Sequence, residues 1–549
     1  MRAHGADAAA LRAGPVVGIC NSASDLTPCN AHLGQLATAA RRGIERAGGV
    51  ALEFPTMSIG EPLMRPTSML FRSLMAMDVE ESLRANPLDA VLLLGGCDKT
   101  VPAQVMGAAS VDLPSIVLTG GPMLSGRFRG RAVGSGTDVW RAMEARRAGR
   151  MTDDDIEELE GCINRSAGHC MTMGTASTMA CVMEAIGLQP WGAAALPAAD
   201  GRRLHEAEKA GARLVAMARD GGPRPSQVLT RQAFENAIRV NAAIGGSTNA
   251  VLHLLAIAGR VGVQLDLDDF DSLAAAIPLL VNLQPSGEYL MEEFSYAGGV
   301  PAVMAELRTH LDLDVTTVDE TPLVDRLSEA RSHDPAVIAS IATPVQPAGR
   351  GTAVLHGNLA PSGALIKVSA ASDRLLQHRG PALVFDHIEE YLAVVADEDL
   401  PVTADTVLVV RNAGPRGYPG MPEIANLPIP ERLLRQGVTD MVRLCDGRMS
   451  GTAYGTVVVH IAPEAAIGGP LGVVRSGDLV ELDVPGRSLH LEVSDDELSR
   501  RLAAWRPATP HAPRGWVRLY VDHVQQADRG ADLDVLVGAS GAAVPRMPF

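Results

Sequence analysis

At Leu92 begins an apolar run of strand length that stops on Gly95-Gly96 and gives way to a thiol, a carboxylate and an amine in Cys97-Asp98-Lys99. The pattern predicts a strand, a tight turn and then a helix carrying Pro102 in its first turn. Reactive groups would then stand at the carboxyl end of a strand. In open parallel α/β sheets ligands bind at that edge, because the loops there open a crevice between sheet and helices.

The surroundings agree with such a sheet. Val16–Cys20, Ala51–Phe54, Ala90–Leu94 and Ile116–Thr119 are short apolar runs, each followed by a turn signal or a helix-like segment, which is the rhythm of βαβ units. His32–Ala47 reads as the first helix, closed by Gly48-Gly49. From Thr152 to about Leu327 the pattern is mainly helical, with Ser226–Gly262 broken at Gly245-Gly246-Ser247-Thr248-Asn249. Pro344, Pro347 and Gly349 interrupt both periodicities between Thr343 and Arg350. Beyond them, Ala353–Leu355, Leu365–Val368, Val407–Val410, Val457–His460, Leu479–Val484 and Leu489–Val493 read as strands of a barrel or sandwich. The fold expected is α/β: an N-terminal parallel-sheet domain rich in helices over residues 1–345, and a β-rich, barrel-like domain over residues 346–549. A chain of 549 residues is long enough for both.

The formal net charge of −16 argues against nucleic-acid or anionic-membrane partners, which call for a basic face. No apolar run approaches the roughly 20 residues of a membrane helix. Met1–Pro15 lacks a continuous apolar core, so it reads as a ragged start and not as a signal peptide. Seven cysteines without secretory features fit reduced thiols in a cytoplasmic setting. Aromatic residues are only 3% of the chain, so Ala, Val, Leu, Ile and Met must fill the interior.

Three of the cysteines share a context. Cys29 precedes the His32 helix, Cys97 the Pro102 helix, and Cys170 a helical segment from Gly174. Helix N-termini lower a thiol's pKa and favour an anionic, thiolate-bound cluster. The separations of 68 and 73 residues match no zinc-finger or ferredoxin spacing, and three small buried hydrophobes would look the same.

The motifs Asp25-Leu26-Thr27-Pro28-Cys29-Asn30, Gly95-Gly96-Cys97-Asp98-Lys99-Thr100, His169-Cys170-Met171-Thr172-Met173-Gly174-Thr175-Ala176, Gly246-Ser247-Thr248-Asn249, His356-Gly357-Asn358-Leu359-Ala360-Pro361 and Asp446-Gly447-Arg448-Met449-Ser450-Gly451-Thr452 occur in this order. With them the chain resembles the family uniting dihydroxy-acid and phosphogluconate dehydratases, over nearly its whole length. The segment His169–Ala176, Met421-Pro422-Glu423 and Pro102-Ala103 are more similar to the sugar-acid branch, such as arabinonate and xylonate dehydratases.

The resemblance implies that Cys29, Cys97 and Cys170 hold a [2Fe-2S] cluster with one iron open to substrate. It implies that Glu61, Asp98, Lys99 (as its carbamate) and Glu423 bind Mg²⁺, and that Ser450 is the base, with Thr452 hydrogen-bonding it and Arg448 neutralising charge. The activity implied is dehydration of an aldonate, a pentonate or hexonate, to its 2-keto-3-deoxy acid, in a cytoplasmic homodimer or homotetramer. The chemistry is coherent: the reaction removes a weakly acidic proton alpha to a carboxylate and expels hydroxide from the next carbon, and both steps call for Lewis acids. Read without the resemblance, Lys99 could turn to solvent and Ser450 could be a turn serine, while Ser247-Thr248-Asn249 could line the same cavity or, equally, be a helix break with a new N-cap. Cys20, Cys162 and Cys445 lie near motif segments and could supply a fourth cluster ligand. Two other functions stay open. One is a dihydroxy-acid dehydratase of branched-chain amino-acid biosynthesis, marked by a more apolar pocket. The other is a catalytically inactive, cluster-bearing sensor, which would need neither Mg²⁺ ligands nor a base.

Overall fold

Strands β1 (Val16–Asn21), β2 (Val50–Pro55), β3 (Ala90–Gly95) and β4 (Ser115–Thr119) form a parallel sheet in the order β2-β1-β3-β4. They are joined through the helices Leu33–Arg46, Arg72–Ala85 and Cys97–Val111. Every residue of β3 and β4 is buried, which is why these strands read as unbroken apolar runs and not as an alternation. The computed structural model describes residues 14–507 and 512–541 together with Ala9 and Arg12. The start expected over Met1–Pro15 lies almost wholly outside them.

The strand order has a direct consequence for the site. The chain leaves β1 toward β2 on one side and continues from β3 to β4 on the other, so β1 and β3 flank the point where the winding reverses. Loops leaving the carboxyl ends of two such strands diverge and open a crevice. The loop after β1 carries Cys29, and the turn after β3 carries Cys97.

A short hairpin, β5 (Gly126–Phe128) and β6 (Arg131–Val133), follows, and then a helical region. Within it Thr175–Ala185, Gly201–Asp220, Arg231–Ala243 and Asn249–Arg260 are buried along one or more faces. The predicted break in Ser226–Gly262 is present, since one helix ends at Ala243 and the next begins at Asn249.

From Thr352 the chain forms a closed barrel. The strands are β7 (Thr352–Gly357), β8 (Ala360–Lys367), β9 (Gln377–Phe385), β10 (Val407–Val410), β11 (Arg443–Cys445), β12 (Val457–Ala462), β13 (Leu479–Asp483) and β14 (Ser488–Leu491). Their order is β10-β11-β12-β8-β7-β14-β13-β9. Alternation divides β7, β8, β10 and β12 between two cores, whereas the outward residues of β13 and β14 face solvent. Ala353, Leu355, Ile366, Val407, Val409 and Val458 fill the barrel. Val354, Leu365, Leu408, Val410, Val457 and Val459 face outward and join the same apolar cluster as Val17, Leu92 and Leu118 of the sheet. The barrel's outer wall is therefore part of the N-terminal core. No helix among the described residues is long and apolar enough to cross a membrane.

Candidate active site

The helix Cys97–Val111 begins earlier than its proline suggests. Gly96 is the extended N-cap, Cys97 the first helical residue, and Pro102 therefore lies in the second turn and not the first. Proline there has no N–H to offer the Asp98 carbonyl four residues back. Cys97 has φ +63°, a left-handed conformation costly for a side chain with a Cβ, and Met421, two residues before Glu423, has φ +54°. Strain of this kind concentrates where the surrounding structure fixes a functional geometry.

Lys99, which alone could have turned to solvent, is completely buried. Its Nζ lies 2.9 Å from Glu423 Oε1, 3.0 Å from Glu61 Oε2 and 3.3 Å from Asp98 Oδ2. Burial and the Arg448 cation oppose an ammonium here. Glu423, Glu61 and Asp98 outweigh them and hold the Lys99 amine above the ordinary lysine range. Burial would also raise Glu61, but Lys99, Arg448 and the Ser68 hydroxyl bring it down to about 2. Glu423, more deeply desolvated and facing Glu61, is raised despite Lys99 and Arg448.

A second layer fixes these carboxylates. Thr67 Oγ1 donates to Glu61 Oε1 at 2.8 Å and accepts from Arg448 Nη2 at 2.9 Å. Ser68 donates its hydroxyl and its backbone N–H to Glu61 Oε2. Arg448 Nη1 lies 2.7 Å from Glu423 Oε1, so its expected charge-neutralising role has a geometry. Asn249 Nδ2 donates to Glu423 Oε1 at 2.9 Å, to Thr175 Oγ1 at 3.1 Å and to the Met449 carbonyl at 3.2 Å. The helix break with a side-chain cap is also present: Thr248 makes no capping bond, but Ser247 Oγ accepts the Asn249 backbone N–H at 3.1 Å.

Ser450 and Thr452 stand on the loop between β11 and β12. Ser450 Oγ lies 3.0 Å from Thr452 Oγ1, and the Thr452 backbone N–H points to Ser450 Oγ at 3.4 Å. A Cβ at Gly451 would come within 2.5 Å of the Thr175 backbone nitrogen and 2.8 Å of Ser247 Oγ. Gly451 is thus required by the close approach of two protein segments.

Cys29 lies in a 3₁₀ turn, Pro28–Asn30, ahead of the Leu33 helix, while Cys170 precedes the Thr175 helix by five residues. The three thiols are mutual neighbours. A hydrogen bond with Cys97, then burial and the Cys97, Cys170 and Asp98 charges, push the Cys29 thiol well up, and burial pushes Cys170 to about 12. For Cys29 and Cys170 the expected lowering at helix N-termini is outweighed by crowding and desolvation. All seven cysteines are free. Cys20 and Cys445 accept hydrogen bonds from Gln104 Nε2 and the Gly447 N–H.

The donor chemistry fits both groups expected. Three carboxylates already surround one buried cationic nitrogen, and three thiols meet at the crevice beside them. Among the described residues no three His, Cys, Asp or Glu side chains, the three thiols included, form a ready metal cage; within the carboxylate cluster the Lys99 ammonium takes the place a cation would fill. Conversion of that amine to an oxygen ligand would turn the cluster from ion pairs into a cation site. Thr67, Ser68 and Thr137 escaped the sequence reading, and no spacing signal marks them; they join the site only through tertiary contact.

Comparison with known proteins agrees. The model of the dihydroxy-acid/6-phosphogluconate dehydratase N-terminal region matches residues 14–326, and that of the C-terminal region residues 336–531. The L-arabonate dehydratase of Azospirillum brasilense is 54% identical over 97% of this chain and 92% of its own length. The L-arabinonate dehydratase of Rhizobium leguminosarum bv. trifolii is 52% identical over 96% of this chain and 92% of its own. The 6-deoxy-6-sulfo-D-gluconate dehydratase of Pseudomonas putida is 47% identical over 97% and 92%.

Proposed function

The chain belongs to the dihydroxy-acid/6-phosphogluconate dehydratase family, a family of hydro-lyases, and from that premise we propose that it dehydrates a sugar acid, a pentonate or hexonate, to the 2-keto-3-deoxy acid. The observation carrying this reading is the Asn249 amide, which joins the carboxylate cluster at Glu423 to the Ser450 loop at Met449. A sensor has no use for a base tied to a cation site.

In this reading Glu61, Asp98, Glu423 and Lys99, as its carbamate, hold Mg²⁺, and Cys29, Cys97 and Cys170 hold a [2Fe-2S] cluster. When bound, these groups supply Lewis acidity at the substrate carboxylate, the C2 hydroxyl and the departing C3 hydroxyl. Ser450 Oγ takes the C2 proton. The Thr452 backbone N–H is directed at that oxygen and the Thr452 hydroxyl lies 3.0 Å from it; a donor on the serine oxygen favours its deprotonated form. Arg448 holds Glu423 and, through Thr67, Glu61 in place, so the two glutamates keep their orientation as charge develops. The enzyme acts in the cytoplasm as a homodimer or homotetramer, with residues 1–345 and 346–549 as its two domains.

The test is anaerobic iron and sulfide quantitation followed, on the same sample, by a 2-keto acid assay across pentonates and hexonates with Mg²⁺. About two irons per chain with keto acid formed, and none from Ser450→Ala, is the expected result. Turnover restricted to branched 2,3-dihydroxy acids would assign the biosynthetic activity instead. A full cluster without turnover on either class would leave a sensor.

A further inference from the structure

Ser450 and Thr452 each carry one hydroxyl proton, and the 3.0 Å contact between them allows either to donate. A base must accept in that contact. We propose that Trp140 sets its direction and is a positioning residue for the base; the inference rests on the reading of Ser450 as that base.

Trp140 Nε1 lies 3.2 Å from Thr452 Oγ1. An indole N–H can only donate, so one lone pair of the threonine oxygen is occupied from that side and its own proton is directed to its other partner, Ser450 Oγ. The serine oxygen then faces two donors, the Thr452 hydroxyl and the Thr452 backbone N–H. Two donors on one oxygen favour the alkoxide.

The orientation is rigid because one helix turn holds Thr452 twice. Thr137, three residues before Trp140 in the helix Thr137–Arg147, donates to the Thr452 carbonyl at 2.8 Å. Residues three apart share a helix face, so both bonds come from the same surface. Two glycines complete the enclosure: a Cβ on Gly136 would stand 2.4 Å from Thr452 Cβ and Oγ1, and one on Gly174 would stand 2.8 Å from Cγ2. Trp140 itself is 38% exposed, so its substitution leaves the core untouched.

The experiment compares wild type, Trp140→Phe, Trp140→His, Thr452→Val and the double variant W140F/T452V, each cluster-loaded and checked for iron content and thermal midpoint. W140F is expected to lower kcat about tenfold, the value of one lost hydrogen bond, with little change in KM. The limb of the kcat–pH profile on which the base deprotonates is expected to move about one unit upward. W140H, which restores a ring N–H, recovers part of both. On the T452V background W140F has no further effect, because the contact through which it acts is gone. Wild-type kcat and pH profile in W140F, or the same loss with and without Thr452, overturns the proposal while leaving Ser450 as base. Turnover retained in S450A overturns both readings.

Discussion

Lys367 shows what burial without a partner does to a single residue. It ends β8 with 1% exposure, its Nζ has no hydrogen-bond partner, and desolvation brings its pKa from 10.5 down to about 7. In the unfolded chain the amine is protonated up to about pH 10.5; in the folded chain it is neutral above about 7. Between those values the unfolded state binds the extra proton, so stability rises with pH across that window, and below about 7 the full cost of the buried charge is present. Lys367→Met is expected to stabilise the protein by about 1 to 4 kcal/mol at pH 7 and to flatten the slope between pH 7 and 10, as read from urea midpoints. Residues of this kind explain what sequence could and could not give. Cys97, Asp98 and Lys99 were legible because they are consecutive and close a strand. The convergence of Thr67, Asn249 and Arg448 on Glu61 and Glu423 joins residues up to 381 positions apart, and no local periodicity records it.

Among the elements, the crossing of the helices Leu33–Arg46 and Gly201–Asp220 depends on reciprocal close approach. A Cβ on Gly43 would stand 1.9 Å from the Glu208 carbonyl oxygen, and one on Gly211 2.3 Å from that of Ala40. Gly34, on the same first helix, faces open space. Gly43→Ala is expected to cost about 1 to 3 kcal/mol through forced helix displacement. Gly34→Ala gains up to about 1 kcal/mol from helix propensity. Opposite shifts in thermal midpoint check the pair. The four strands of the parallel sheet were readable because both faces are buried. Strands β9 and β11 were not: β9 contains Gly380-Pro381 and many exposed positions, and β11 is three residues long. Barrel and sandwich share one alternation, so only the closing pairs, β10 with β9 and β13 with β9, decide between them.

At the scale of the molecule, the segment after the barrel returns to the N-terminal half. Asp532, 1% exposed, binds Arg260 through Nε at 2.7 Å and Nη2 at 3.2 Å, and Ser73 Oγ at 3.0 Å. Arg72 donates to the Gly530 and Ala531 carbonyls at 2.9 and 2.8 Å. Asp532→Ala leaves Arg260 with Glu80 as its remaining carboxylate and is expected to cost about 3 to 5 kcal/mol, measured by chemical denaturation. The helix Arg72–Ala85, which carries Arg72 and Ser73, follows directly on the Thr67-Ser68 turn that holds Glu61, so the loss should reach the site as well. This clamp also imposes an order on biosynthesis. A chain emerges from the ribosome amino end first, and Asp532 follows Arg260 by 272 residues. Through that whole interval Arg260 lacks its Asp532 counter-charge. A nascent or prematurely terminated chain would expose that defect to the cell's proteases, while the full-length chain conceals it.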